Sequence, residues 1–265
     1  FFHDCGHGSF FRSPRANDTL GIITGLLTFT PYYHWRHTHA VHHATVSNLD
    51  RRGIGDVWTL TVDEYLAAPW WRKAAYRIFR FPPFTFLIGP ALVFLVTQRL
   101  PRSEGNRRER HSIWWTNLAL AGLVALMSAT IGLKTYALVQ LPLMVLAGMA
   151  GVWLFYVQHQ FEGTYWERHA RWDFVRASLV GSSYYRLPRV LQWFSGNIGF
   201  HHIHHLGSKI PNYNLARAYK ENPIFHVKPL TLASSLKSLK WRVYDEANKR
   251  LAGWEVLKQY QHKTA

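Results

Sequence analysis

Three short runs of the chain concentrate imidazole: His3-Asp4-Cys5-Gly6-His7, His39-Ala40-Val41-His42-His43 and His201-His202-Ile203-His204-His205. The first places two histidines at i and i+4, and each of the others contains the set i, i+3, i+4. On a helix those offsets bring side chains to one face with Cβ atoms about 5–6 Å apart, so that two imidazoles can converge on one metal ion. One such pair is a weak signal; three together are a metal-site pattern. The runs supply eight ligand candidates: His3, His7, His39, His42, His43, His201, His204 and His205. An octahedral ion accepts six ligands at most, and a catalytic one keeps a position open, so the site is expected to be at least dinuclear. Neighbours such as His42/His43 and His204/His205 diverge by ~100° on a helix, which suits sharing between two ions.

Two closed tetrahedral zinc sites would also consume eight imidazoles. Structural zinc usually recruits cysteine, however, and the chain has only Cys5. Iron(II) accepts imidazole and keeps positions open for oxygen, so an oxygen-activating site fits better. Asp4, Asp56, Glu162 and Asp173 are carboxylates that could orient ligand rings, and Asp4 is the best placed because it sits inside a run.

The elements that must position these residues follow from hydropathy. Residues 113–132 and 136–157 contain no Asp, Glu, Lys, Arg or His. At ~1.5 Å rise per residue each is about 30 Å long as a helix, the thickness of a bilayer's hydrocarbon core. Trp114, Trp115, Trp153 and Tyr156 stand at their outer ends like an aromatic belt, and only residues 133–135, with Lys134 at the tip, separate the two. A membrane hairpin over 113–157 is expected. Residues 81–98 are apolar but carry Pro82, Pro83, Gly89 and Pro90, and are expected to form an in-plane or re-entrant segment. Loop 99–111 holds Arg99, Arg102, Arg107, Arg108 and Arg110, and positive flanks mark the cytoplasmic side. Segments 1–80 and 158–265, which contain every histidine except His111, are then cytoplasmic. His159 emerges there, directly after the second apolar stretch, as the natural ninth ligand. The basic and apolar mixture of 230–257 (Leu236, Leu239, Trp241 and Val243 among Lys237, Lys240 and Arg242) predicts a surface or membrane-interface helix.

The composition narrows the alternatives. The chain has 265 residues, a net charge of +16 and 15% aromatic residues, which excludes a disordered basic tail. One cysteine excludes a disulfide framework. No zinc-finger, homeodomain or RNA-recognition pattern accompanies the basic residues, so nucleic acid is set aside as a partner. The chain opens at Phe1, already inside a motif, and is expected to be a fragment lacking an upstream part.

The runs HDCGHGSFF, WRHTHAVHH and GNIGFHHIHHL resemble the three histidine boxes of membrane fatty-acid desaturases, and are most similar to the acyl-lipid branch of omega-6 (delta-12) type and its bacterial relatives. The resemblance covers essentially the whole chain, including GVWLFYVQHQFE around His159 and YYRLPRVLQWFSGN before the last box. It implies that 1–265 is one desaturase domain. The implied fold is all-α: a multi-pass membrane helical stem, with a cytoplasmic helical cap (1–80 and 158–265) holding a histidine-rich di-iron site. The implied metal ligands are His3 and His7, then His39, His42 and His43, then His201, His204 and His205, with His159 as the additional ligand; Asp4 supports the first box. His34, His37 and His202 fall outside the spacing. The implied cofactors are two irons, with O₂ as co-substrate. The implied reaction removes one hydrogen from an unactivated methylene of a lipid acyl chain and a second from its neighbour, giving a cis double bond and water. Each O₂ needs two outside electrons, which an acidic donor such as ferredoxin would deliver to the basic surface. That surface also suits anionic lipid headgroups. The implied location is the cytoplasmic face of a bacterial cell membrane.

Two rivals remain. A hydroxylase or ketolase on the same scaffold would give an oxygenated chain instead of an alkene. A histidine-rich metal transporter should carry ionisable ligands inside its spans, and 113–132 and 136–157 have none.

Overall fold

The computed structural model describes residues 1–102 and 105–261. In chain order the first helices are α1 (Phe2–His7), α2 (Pro14–Leu27), α3 (Tyr32–Thr45), α4 (Val62–Ala67) and α5 (Trp70–Phe79). Then come α6 (Gly89–Leu95) and the two long helices α7 (Arg107–Thr130) and α8 (Leu133–His159). The remainder are short: α9 (Phe174–Leu179), α10 (Arg189–Phe194), α11 (His201–Leu206), α12 (Asn212–Glu221), α13 (Leu232–Ser235) and α14 (Val256–Gln261). Among the described residues the sole sheet is an antiparallel hairpin of β1 (Val243–Asp245) and β2 (Arg250–Ala252). The protein is mostly helical, as the sequence predicts.

Local chemistry explains where the helices begin. Ser13 caps α2, its side chain accepting from the Ala16 N–H, with Pro14 in the first turn. Capping boxes start α4 (Thr61 with Glu64) and α7 (Asn106 with Glu109), and Asp173 caps α9. The turn between α7 and α8 falls at Ile131–Gly132, two residues earlier than the sequence predicts, because Gly132 takes a left-handed φ of 84° that ends α7. Lys134 lies in the first turn of α8. Both long helices are long and apolar enough to cross a membrane. Segment 84–99 is broken into a π-helical turn (Phe84–Ile88), α6 and a 3₁₀ turn (Thr97–Arg99).

The chain divides into two compact units, residues 1–40 with 83–153 and residues 41–82 with 154–265, and the division falls within α3 and α8. In the first unit, Tyr32 ties three elements together: its hydroxyl donates to the Cys5 carbonyl in α1 (2.7 Å) and approaches Asp18 of α2 (3.0 Å). Gly21 makes room for that ring, since a Cβ there would stand 2.2 Å from it. In the second unit one core gathers Leu60, Val62, Tyr65, Tyr76, Val243, Ala252, Val256 and Leu257. A second core sets Phe200 and Ile203 against Leu215 and Phe225 and so fixes α11.

The expected helix over 230–257 is a correction. Only α13, a 3₁₀ turn (Leu236–Lys240) and α14 are helical; Val243, Tyr244 and Asp245 form a fully buried strand instead. Its return is set by Lys249 at a positive φ of 52° and by Asp245, whose carboxylate accepts from Asn248. Pairing of the hairpin buries Val243 and Tyr244 in two cores, which outweighs the helical apolar spacing.

Candidate metal centre

In the second unit four of the buried histidines, from three helices, converge: His42 (α3), His159 (the last residue of α8), and His201 and His205 (α11). Their candidate ligand atoms all lie within 4.8 Å of one another. Nε2 of His42 is 3.2 Å from Nε2 of His159, which is 2.9 Å from that of His201, which in turn is 3.0 Å from that of His205. Two imidazole nitrogens bound to one ion at ~2.1 Å stand ~3.0 Å apart at a right angle and ~3.4 Å apart at the tetrahedral angle. The observed spacings of 2.9 to 3.2 Å are in the range of imidazole nitrogens that share one ion, so this donor set could hold a metal.

The far side of the rings fixes which nitrogen faces inward. Nδ1 of His42 is 2.6 Å from Oδ1 of Asp56, and Nδ1 of His159 is 3.4 Å from the Gly181 carbonyl. A proton held on Nδ1 by an acceptor leaves the Nε2 lone pair free for a metal. Phe155 packs on His42 and His159 with ring centroids 5.3 and 5.2 Å away. Burial pushes the His205 pKa well below the ordinary imidazole value, with the surrounding imidazoles adding to it. The ring is therefore neutral, the form that binds metal.

Local structure explains why α11 can deliver its rings. The loop before it needs Gly199, where a Cβ would stand 2.3 Å from the Tyr185 carbonyl oxygen, and Tyr185 N–H donates to the Gly199 carbonyl (2.7 Å). Gln158 donates from its side chain to the Ile198 carbonyl (3.0 Å), binding this loop to the end of α8. The same unit pairs His43 with His204, Nε2 to Nε2 at 3.0 Å. Adjacent histidines of one helix thus turn to different partners: His42 and His205 to the group of four, His43 and His204 to each other. His202 turns elsewhere, its Nε2 bonding the Phe225 carbonyl at 2.9 Å among Tyr184, Tyr219 and Phe225. Burial lowers its pKa to about 4.

The first unit gathers His3 and His7 of α1 with His39 of α3, every pair of ring centroids 4.9 Å apart and His3 Nε2 3.0 Å from His39 Nε2. Asp4 lies 3.2 Å from Nδ1 of His3, and Trp35 stacks on His39 at 4.3 Å. These rings are half-buried. His34 is buried near Glu109 (3.7 Å), and His37 is exposed.

Of the other carboxylates weighed in the sequence, Asp173 caps α9 and Glu162 is exposed near Lys237 (3.6 Å). The residues that sequence reasoning missed are those that hold the ligands from afar: Gly181, Gln158, Trp35 and Asp18. Asp18 accepts from Tyr33 and Arg36 as well as facing Tyr32. No spacing within α2 signals that role.

Fold and site together define a helical protein with membrane-capable spans and histidine groups that could hold metal. The fatty acid desaturase family profile matches residues 1–227. The chain is 48% identical over 258 residues to a fatty acid desaturase of Bacillus subtilis, covering 97% of this chain and 73% of that protein. It is 28% identical over 221 residues to the sn-1 oleoyl-lipid 12-desaturase of Picosynechococcus, covering 82% of this chain and 62% of the relative. It is also 27% identical over 235 residues to the sn-1 acyl-lipid omega-3 desaturase (ferredoxin) of Nostoc, with 82% and 60% covered. The chain belongs to the fatty acid desaturase family, whose members are membrane-bound enzymes.

Proposed function

We propose that this chain is a single desaturase domain, residues 1–265, that introduces a cis double bond into the acyl chain of a membrane lipid in an O₂-dependent reaction. Its nine metal ligands are His3, His7, His39, His42, His43, His159, His201, His204 and His205, with Asp4 supporting His3. The observation that carries the reading is the buried group His42, His159, His201 and His205, whose Nε2 atoms follow one another at 2.9 to 3.2 Å with Asp56 behind His42. His43 with His204, and His3 with His7 and His39, supply five further imidazoles, and the nine together would hold two irons. Bound iron would supply the activation of O₂ that a saturated methylene requires. The chain's own residues do the rest. Asp56 keeps the His42 proton on Nδ1, and the packing around His159 and His205 keeps bulk water from the site. Nothing chemical distinguishes one methylene from the next, so the position of the double bond is set by how deep the chain is held.

The two electrons come from an acidic donor such as ferredoxin, in line with the printed names of relatives and with the chain's charge of +16. The arginines flanking α7 support a cytoplasmic site, with α7 and α8 crossing a bacterial membrane and returning. Expression in a host that lacks the product lipid, followed by double-bond mapping by mass spectrometry, tests the reading. A new cis alkene is expected. An oxygenated chain without an alkene would move the assignment to a hydroxylase or ketolase.

A further inference from the structure

Helix α5 carries an apolar face that none of the described residues of its own unit covers. At ~100° per residue, Trp70, Ala74, Ile78, Trp71 and Ala75 occupy one continuous arc of the helix. All five are exposed, Trp70 at 79%, Trp71 at 59% and Ile78 at 54%. The opposite side anchors the helix. Tyr76 is fully buried in the core, its hydroxyl accepting from the Leu60 N–H (3.0 Å) and donating to the Arg242 carbonyl. The arc is bordered by cations: Arg72 on one edge, and on the other Lys73, bound to the Leu66 carbonyl, and Arg77, which lies over the Trp254 ring. Outward tryptophans between two basic edges are the composition of a helix that lies in a membrane surface.

The depth of α5 is set by a second observation. Arg80, which caps the helix and is only 2% exposed, donates to the Gln160 side chain (2.9 Å) and to the Trp241 carbonyl (3.0 Å). Gln160 directly follows His159, the last residue of the membrane-capable α8. The C-terminal end of α5 is thus bound to the point where that helix ends. We propose that α5 lies in the plane of an anionic bilayer surface, with Trp70, Trp71 and Ile78 immersed at headgroup depth and Arg72, Lys73 and Arg77 facing lipid phosphates, so that it holds the His159 end of α8 at the lipid boundary. The occupant is lipid because the face combines cations with aromatics and adjoins a span's end. The proposal does not depend on the desaturase reading.

Nitroxide labels read this directly. The full protein is labelled at Trp71→Cys, Ala74→Cys, Ile78→Cys or Arg72→Cys, with Ala247→Cys on the hairpin tip as the aqueous reference. Each is placed in nanodiscs of phosphatidylcholine alone or mixed with phosphatidylglycerol. All five positions are exposed, and the native Cys5 is buried. The ratio of oxygen to nickel-chelate accessibility is expected to be several-fold higher at 71, 74 and 78 than at 72 and 247, and to rise further with phosphatidylglycerol. Ratios equal to that at 247 would overturn the proposal. So would protection from both reagents, which means a protein covers the face, or a high ratio that includes 72, which means that α5 is part of a span. An unchanged ratio on adding phosphatidylglycerol would overturn its anionic part.

Discussion

The two units hold their histidines differently. In the unit of residues 41–82 and 154–265, His42, His159, His201 and His205 are each at most 4% exposed, and His42 is backed by a carboxylate at 2.6 Å. In the other unit His3, His7 and His39 are half-buried, and the carboxylate beside His3 is at 3.2 Å. Burial with a close acceptor fixes both ring orientation and tautomer before any ion arrives, whereas a half-exposed ring pays ordering entropy when it binds. The buried group should therefore hold its ion more tightly and exchange it more slowly, and the triad should be the labile side.

The largest effect that could break this comparison is removal of a central ring. His159→Ala should lower double-bond formation more than about 100-fold and remove the ion of the buried group, read by product analysis and metal content. Activity within tenfold of the parent would mean that His159 is only an interfacial histidine. Next comes the pair of neighbours on α11. His201→Ala should abolish product and lower bound iron. His202→Ala should keep both, losing about 2–5 kcal/mol of stability because a fully buried ring and its bond to the Phe225 carbonyl are removed. Equal iron loss in the two variants would contradict the division of roles seen in α11.

A smaller contrast separates the supporting carboxylates. Asp56→Asn should weaken iron binding about 10–100-fold, the range for a carboxylate behind a ligating histidine. Asp4→Asn should do so less, because His3 is partly solvated and its contact longer; competition with a graded chelator reads both. The smallest effects concern backbone room. Gly199→Ala forces a Cβ against the Tyr185 carbonyl oxygen and should cost about 1–3 kcal/mol in thermal unfolding. Gly6→Ala meets only the Trp35 ring edge, which can move, and should cost less while disturbing the stack on His39.

What could be read from the sequence was local. The offset i, i+4 is a property of one helix, so the convergence of His3 with His7 and of His201 with His205 was legible, as was the departure of His202, whose offset turns it to another face. That His39 and His42 would part, and that His204 would leave His201 and His205 for His43, was not. The two membrane-capable helices were legible because twenty apolar residues have few other uses. Contacts set by tertiary packing were not. Asp56 lies 14 residues from His42, and no pattern ranks it above Asp4, which adjoins its ring in sequence but sits farther away in space. Gln158, Arg80 and Asp18 act through partners about 18 to 80 residues distant. The C-terminal hairpin was hidden by apolar residues at helical spacing, although Val243-Tyr244 before Asn248-Lys249 carried a strand-and-turn signal that pointed the other way.

The central claim is that these histidines hold two irons, one of them in the buried group. Metal analysis of the purified protein and of its His159→Ala variant tests it most directly. The account predicts close to two irons per chain in the parent, and about one in the variant, retained by the remaining ligands. Stoichiometric zinc with little iron, in parent protein that still forms double bonds, would contradict it.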